Sequence, residues 1–415
     1  MNIRSKPLTI LMLYLLSVSY TISYFDVAFE NPMISSVKWI FLFLTVCLFI
    51  LLLRIKKPTI NYSYDNLSII SFIIAVSFLN ILFSVGKLTS IATLSVIVLA
   101  FVFFMLLSTI ITRGILTIFE INKIIYISIF VVILFSTIIS FQEYLNFINV
   151  FTGDGRYRVK GLFRHPNSMA MTCFLGAIVL FENLRKMREK KLKIHFLNYF
   201  ILIFFVFNIL ISDSKTALFT LIAFFLIYHL VSRMRENLSY FKVIQLYFMF
   251  ILFSISIYQF FSLIINTTLG DQSNSVSVRL DSWIIVFSKL FEDKVRFFFG
   301  YGLSGTGGYV NGSQQNLGLA VDNGFVTLFY QTGIIGLALV LLFLLLISLQ
   351  IIMRANINME KQYRVFTFSC ILSLLMYSMF ENLLFSMGNF ITLYLWFRIY
   401  NYTYQKRKLR FGLNS

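Results

Sequence analysis

Asp322-Asn323-Gly324-Phe325-Val326-Thr327-Leu328-Phe329-Tyr330-Gln331-Thr332-Gly333-Ile334-Ile335-Gly336 is where a long polar stretch gives way to a long apolar one. Its first residues are polar; from Phe325 the chain becomes an apolar run reaching residue 352, longer than the ~20 residues a helix needs to cross a hydrocarbon core. Upstream, residues 266–321 form the longest water-seeking stretch. It opens on Asn266-Thr267-Thr268-Leu269-Gly270-Asp271, passes through Arg279-Leu280-Asp281-Ser282-Trp283, and continues as Gly300-Tyr301-Gly302-Leu303-Ser304-Gly305-Thr306-Gly307-Gly308.

The rest of the chain repeats the apolar half of this boundary. Of 415 residues, 59% are hydrophobic and only 13% charged, against about a quarter charged in soluble domains, and the mean hydropathy is +0.84. An integral membrane protein is expected, all-α because the runs are far longer than the ten-residue alternating strands of a barrel. Apolar runs lie at 8–25, 37–53, 67–85, 89–111, 121–141, 168–184, 196–212, 216–231, 243–265, 325–352, 365–380 and 386–402. They predict about twelve transmembrane helices in one polytopic domain, 1–415, with extracytoplasmic loops at 142–167 and 266–324. The first run follows Met1-Asn2-Ile3-Arg4-Ser5-Lys6, as in a signal peptide, but no A-x-A-like site follows it, and it is expected to remain as the first span. Cys47, Cys173 and Cys370 all fall inside apolar runs without C-x-x-C spacing, as small buried hydrophobes do.

Net charge +18 is first a matter of topology. With the amino terminus in the cytoplasm, most Lys and Arg fall on cytoplasmic segments, six of them within 185–193, which satisfies the positive-inside rule and puts both termini inside. The exceptions are informative. Lys38, Lys87 and Lys215 stand alone on the outer side, whereas Arg156, Arg158, Lys160 and Arg164 cluster in one outer loop and Arg279, Lys289, Lys294 and Arg296 in the other. Two basic clusters on the disfavoured side point to an anionic ligand, with attraction to anionic lipid as the plainer reading.

Local patterns refine this picture. Leu280, Trp283, Ile284, Phe287, Leu290 and Phe291 recur at three- and four-residue steps, predicting an amphipathic helix over 278–292 on the outer face. The glycine-rich run lacks G-K-[ST], so it is no Walker loop and reads as flexible turns. Ser212-Asp213-Ser214-Lys215-Thr216 joins two runs and presents a cation at the outer edge. His165 is the one histidine outside; His195 and His229 read as inner, interfacial residues. Glu182, Glu381 and Lys215 read as lying near helix ends.

Taken together, Gly161-Leu162-Phe163-Arg164-His165-Pro166-Asn167 before a span, Ser212-Asp213-Ser214-Lys215-Thr216-Ala217 before another, Arg279 with Trp283, Phe299-Gly300-Tyr301-Gly302, and Asp322-Asn323-Gly324-Phe325 ahead of Gly333-Ile334-Ile335-Gly336-Leu337 resemble the O-antigen polymerase and O-antigen ligase superfamily, which includes capsular polysaccharide polymerases. The resemblance covers roughly 155–340. It implies glycosyl transfer outside the membrane from polyprenyl-pyrophosphate-linked oligosaccharide, with no cofactor and no metal, basic residues around the pyrophosphate, and membrane lipids as surroundings. It leaves room for a chain-length regulator as a partner and none for nucleic acid. Two departures matter. Asp322-Asn323 stands where the ligases have His-Asn, favouring a polymerase, and Lys215 stands where Arg is usual, giving a point charge in place of a bidentate fork.

The chemistry asks for the same residue types. Pyrophosphate is a good leaving group, so the site must stabilise charge developing on phosphate oxygen, deprotonate an acceptor hydroxyl and align two long substrates. Arg164, Lys215 and Arg279 suit the first task, with Arg156, Arg158 and Arg296 further out; Asp322 and His165 are the candidate bases. No D-x-D motif occurs, in keeping with a lipid-linked rather than a nucleotide-linked donor. The expected function is a polysaccharide polymerase. The alternatives are a ligase moving finished glycan onto an acceptor lipid or protein, and a transporter of anionic or lipid-linked glycan. The outer loop 266–324 is read as one half of an external active site, with residues 156–167 and 212–216 as the other.

Overall fold

The computed structural model describes residues 5–55, 78, 82–84, 87–146, 158–233, 273–303, 322–353, 361–384 and 386–410. Arg156, most of the run at 67–85, all of that at 243–265, and the 304–321 part of the glycine-rich stretch lie outside these residues. In chain order the helices are α1 (Ser5–Ile22), α2 (Asp26–Glu30), α3 (Pro32–Ile55), α4 (Lys87–Thr112), α5 (Ile118–Ile139), α6 (Phe141–Leu145) and α7 (Pro166–Glu189). They continue as α8 (Phe196–Ile211), α9 (Lys215–Arg233), α10 (Ser273–Glu292), α11 (Lys294–Phe299), α12 (Gly324–Met353), α13 (Lys361–Ser378) and α14 (Phe390–Arg410). Among the described residues the only β feature is an isolated bridge between Phe25 and Phe163.

Among the described residues, six helices are long and apolar enough to cross a membrane: Pro32–Leu53, Ser90–Thr112, Ile118–Ile139, Pro166–Glu189, Lys215–Arg233 and Gly324–Ile352. Lys6–Ile22 and Phe196–Ile211 are shorter apolar helices. The runs at 365–380 and 386–402 fold as α13 and α14, which carry Lys361, Arg364 and Arg398 and fall outside the group of six. The chain is a helical membrane protein.

It divides into two compact units. The first comprises Met1–Asn61, Leu99–Phe225 and Met387–Asn401; the second, Tyr62–Val98, Leu226–Ser386 and Tyr402–Ser415. In the first unit α7 is central, packing on α5 and α8, and it is buried almost continuously from Met169 to Leu184. Close approach is possible because α7 is rich in small residues. A Cβ on Gly176 would run into the Phe205 ring of α8, the small-residue contact by which helices associate in lipid. α1 packs on α3 and α5. Phe101 and Phe104 of α4 meet Trp396, Phe397 and Tyr400 of α14 edge-on or tilted.

Side-chain contacts sort the ends of these helices into two groups. At one end Lys6 of α1 pairs with Glu120 of α5 at 2.6 Å, a residue that also closes a capping box with Thr117, and Tyr126 of α5 reaches Asn198 of α8. At the other end the residues after α1 meet the segment before α7, and α8 turns into α9. The alternation is the one expected of successive spans.

In the second unit α12 packs on α11 and α13, and α10 on α11 and α12. α13 is buried almost continuously from Tyr363 to Ser378. Three of its hydroxyls bond back along the helix, as Thr367 donates to the Tyr363 carbonyl, Ser369 to Val365 and Ser373 to Ser369. The amphipathic helix is longer than its apolar pattern, and its buried face differs. Val286 and Leu290 are fully buried with Trp283 and Phe287 partly so, against Val326, Phe329 and Tyr330 of α12, while Ile284 and Phe291 are exposed. Among the described residues the contacts with α11 and α12 cover only a narrow seam, and the flanks of the predicted stripe stay outside it.

α12 is broken at Gly333, where φ is +66° and ψ −174°. The break removes the helical partners of the Tyr330 and Gln331 carbonyls, and the segment after α11 replaces them. The Tyr301 N–H donates to Tyr330 and that of Gly302 to Gln331, each at 2.9 Å. The rings of Tyr301 and Tyr330 stack at 4.6 Å. Two backbones this close leave no room for a side chain: a Cβ on Gly333 would overlap the Phe298 carbonyl, and one on Gly300 the Gln331 carbonyl. Gly300 and Gly302 also have positive φ. The first glycines of the run, expected as flexible turns, are one side of a backbone clasp.

Candidate functional site

In the first unit the loop that precedes α7 is built by backbone fastening. Gly161 has φ +58°, and a Cβ there would overlap the Ser136 hydroxyl, which accepts the Leu162 N–H at 2.9 Å. Glu143 accepts the N–H groups of Lys160 and Gly161. Tyr24 accepts the Arg164 N–H, and Leu162 accepts that of Asp26. Phe163, fully buried, stands edge-on to Phe25. These contacts deliver Arg164 and His165 to the start of α7.

His165 is the N-cap of α7, with Pro166 following at the first helical position. Its Nδ1 accepts the Asn167 N–H at 3.2 Å, so the neutral ring carries its proton on Nε2. Nε2–H is a donor. In this arrangement the imidazole is suited to donating to a phosphate or sugar oxygen rather than taking a proton at that nitrogen.

The same end receives the turn between α8 and α9. Arg158 donates from Nε to the Ser212 carbonyl at 2.9 Å and from its guanidinium to the Asn167 side chain, while the Val159 N–H donates to Ile211. One arginine thus ties the first two motif pieces together, and Arg158 serves as a brace. Asp213 turns the chain with φ +47°, and Lys215 opens α9, partly buried.

The charges at this end are unequally compensated. Lys160 pairs with Asp26 at 2.6 Å. Arg164 is exposed and lays its guanidinium on the Phe29 ring, 3.1 Å from the centroid, and neither Arg164 nor Lys215 has a carboxylate partner among the described residues. Two unneutralised cations therefore accompany the amino-terminal ends of two long helices, α7 and α9, whose dipoles also favour negative charge. Burial pushes the phenols of Tyr24 and Tyr144 above their ordinary values. Both stay protonated, Tyr24 donating to Asn389 and Tyr144 to Asn208.

In the second unit Asp322 is partly buried immediately before α12. Asn323 fixes that position. Its Oδ1 accepts the N–H groups of Phe325 and Val326, the usual capping geometry, and its Nδ2 donates to the Met379 carbonyl at 2.9 Å. The Gly324 N–H donates to Glu381. Arg296 is committed to its surroundings: Nη1 donates to the carbonyls of Phe83 and Gly300, Nε lies 3.7 Å from Asp293, and the guanidinium covers Tyr301 at 5.2 Å. Arg279 lies within α10, and its side chain is outside the described residues, as is Arg156.

The first unit thus assembles Arg158, Arg164, His165 and Lys215, and the second holds Arg279, Arg296 and Asp322 on neighbouring elements. One polar group was misread from sequence. Glu182, placed near a helix end by its position in the run, is fully buried in the body of the first unit and paired with equally buried Arg398 at 2.8 Å. Asn122 donates to the same carboxylate at 2.6 Å, Tyr394 donates to Asn122, and Lys186 lies 3.5 Å away. The available signal was an ionisable residue in each of two apolar runs. Compared with protein-family models and with curated proteins, the chain matches none.

Proposed function

We propose that the chain is a polysaccharide polymerase of the O-antigen polymerase type: a glycosyltransferase of the cytoplasmic membrane with both termini in the cytoplasm, joining polyprenyl-pyrophosphate-linked oligosaccharide repeat units on the outer side. The observation that carries this reading is the end of the first unit where Arg164 and Lys215, without carboxylate partners among the described residues, stand at the starts of α7 and α9. It is the end opposite the basic stretch 185–193, so the positive-inside rule assigns it to the outside. A doubly phosphorylated leaving group is the ligand class such a surface suits.

In the proposed reaction the acceptor hydroxyl attacks the anomeric carbon of the donor. The new C–O bond forms as the bond to pyrophosphate breaks, the electron pair leaves on phosphate oxygen, and the hydroxyl proton passes to a base. Arg164, Lys215 and Arg279 take the developing charge. The Nε2–H of His165 donates to an oxygen, which leaves Asp322 as the preferred base. Arg158 and Arg296, whose donors are engaged by the protein, position the loops.

Membranes from cells carrying Arg279→Ala or Asp322→Ala are expected to accumulate single repeat units on their carrier. Full-length polymer from both variants would overturn these roles, and polymer that forms but stays on its carrier in a null strain would indicate a ligase. The buried pair of Glu182 and Arg398 gives a transporter some support, since intramembrane ion pairs often line transport paths. Counterflow of labelled substrate in proteoliposomes, with no new glycosidic bond, would decide for it.

A further inference from the structure

At the end of the first unit opposite Arg164, α7 runs into a turn that its helix-stop chemistry does not require. Lys191 adopts φ +52°, its N–H donates to the Arg188 carbonyl at 3.0 Å, and the Leu192 N–H donates to Met187 at 2.8 Å. This is the paired hydrogen-bond pattern of a left-handed helix stop, a position at which glycine is the favoured residue. A lysine stands there instead, at a conformational cost that a glycine would avoid.

The neighbouring charges show the same excess. Lys186 is occupied with Glu182 and Arg185 with Glu189. Arg188, Lys190, Lys191 and Lys193 are exposed and have no carboxylate partner among the described residues. Arg188 falls in the last turn of α7, where a cation complements the helix dipole; the three lysines lie beyond it. Between and after them stand exposed apolar side chains, with Leu192 48%, Phe196 83% and Leu197 59% accessible. Cations interleaved with exposed aromatic and aliphatic groups, directly after a membrane-spanning helix, match an interface of anionic head groups above acyl chains. Topology alone would ask for the charges, but not for a lysine in a glycine conformation beside solvent-facing Phe196.

From charge and apolar content together we infer that the 188–197 turn is a binding surface for anionic phospholipid head groups in the leaflet at that end. The lysines and Arg188 bind the phosphates, and Leu192, Phe196 and Leu197 enter the acyl boundary. The inference rests on the chain being membrane-embedded and not on the polymerase reading.

The test uses the full-length protein in proteoliposomes. It measures the association of spin-labelled phosphatidylglycerol relative to spin-labelled phosphatidylcholine, with orientation checked by labelling single cysteines from each side. Lys191→Gly is expected to keep fold and orientation and to lower the preference by up to about fivefold at low salt, the fold-change equivalent to about 1 kcal/mol for one cation at a charged surface. Replacing Arg188, Lys190, Lys191 and Lys193 together by Gln should abolish the preference, and high salt should weaken it in the wild type. Undiminished preference in Lys191→Gly and in the fourfold variant would overturn the inference. So would a fourfold variant that inverts in the membrane while Lys191→Gly binds as wild type, because the charges would then serve insertion alone. Loss of binding to a soluble polyanion such as heparin with phosphatidylglycerol preference intact would also overturn it, in favour of an acidic soluble partner.

Discussion

Replacing Gly333 with alanine probes the clasp that lets α12 break inside the apolar region. At φ +66° and ψ −174° the backbone occupies a region open essentially to glycine alone, which costs a substituted residue about 1–3 kcal/mol. The added Cβ would also overlap the Phe298 carbonyl, so the 298–302 segment must retreat. Retreat breaks the bonds from Tyr301 to Tyr330 and from Gly302 to Gln331, each contributing about 1 kcal/mol. The total is about 3–5 kcal/mol, a large share of the ~5–15 kcal/mol that holds a typical folded protein together.

Gly114 supplies the control. Its φ is +67°, yet a Cβ there would meet nothing within 4 Å, so Gly114→Ala should cost only the left-handed backbone term, about 1–2 kcal/mol. Thermal unfolding in a single detergent, followed by fluorescence-detected size exclusion, should rank wild type above Gly114→Ala and both well above Gly333→Ala. If Gly333→Ala melts no earlier than Gly114→Ala, the clasp contributes nothing and the account of the glycine motif fails.

Two other predictions concern charged groups. Glu182→Gln leaves Arg398 buried beside a neutral amide and should cost about 3–5 kcal/mol of stability; adding Arg398→Met should restore much of it, and a coupling near zero in the double-mutant cycle would refute the pairing as a stabilising unit. Arg158→Lys keeps the charge but loses the fork that joins Ser212 to Asn167 and should destabilise by about 1–3 kcal/mol, whereas Arg164→Gln should leave the melting midpoint unchanged while reducing polymer formation. Equal melting of the two variants would show that brace and ligand had been assigned to the wrong arginines.

Much of the fold was legible because span formation is a local decision. The run at 168–184 became α7 (Pro166–Glu189), that at 196–212 became α8, and that at 325–352 became α12. Boundaries moved outward where polar residues that interrupt an apolar pattern are good helix starters. Thr117 with Glu120 begins α5, and His165 with Pro166 begins α7. The candidate site was legible by residue type but not by role. Periodicity and charge counting treat Arg158, Arg164 and Arg296 alike, and only their partners separate two braces from an unneutralised cation.

That the chain is helical and membrane-embedded is legible in the amino-acid sequence alone, because apolar length is read residue by residue. The remaining features depend on contacts between distant parts of the chain. Glu182 finds Arg398 across 216 positions of sequence, Gly161 meets Ser136, and Tyr301 and Gly302 satisfy the carbonyls freed at Gly333. Each of these is a polar group or a close backbone approach whose free energy depends on a partner distant in the chain. In an apolar surrounding an unmet hydrogen bond is costly enough that the partner, and not the local sequence, sets what the residue does.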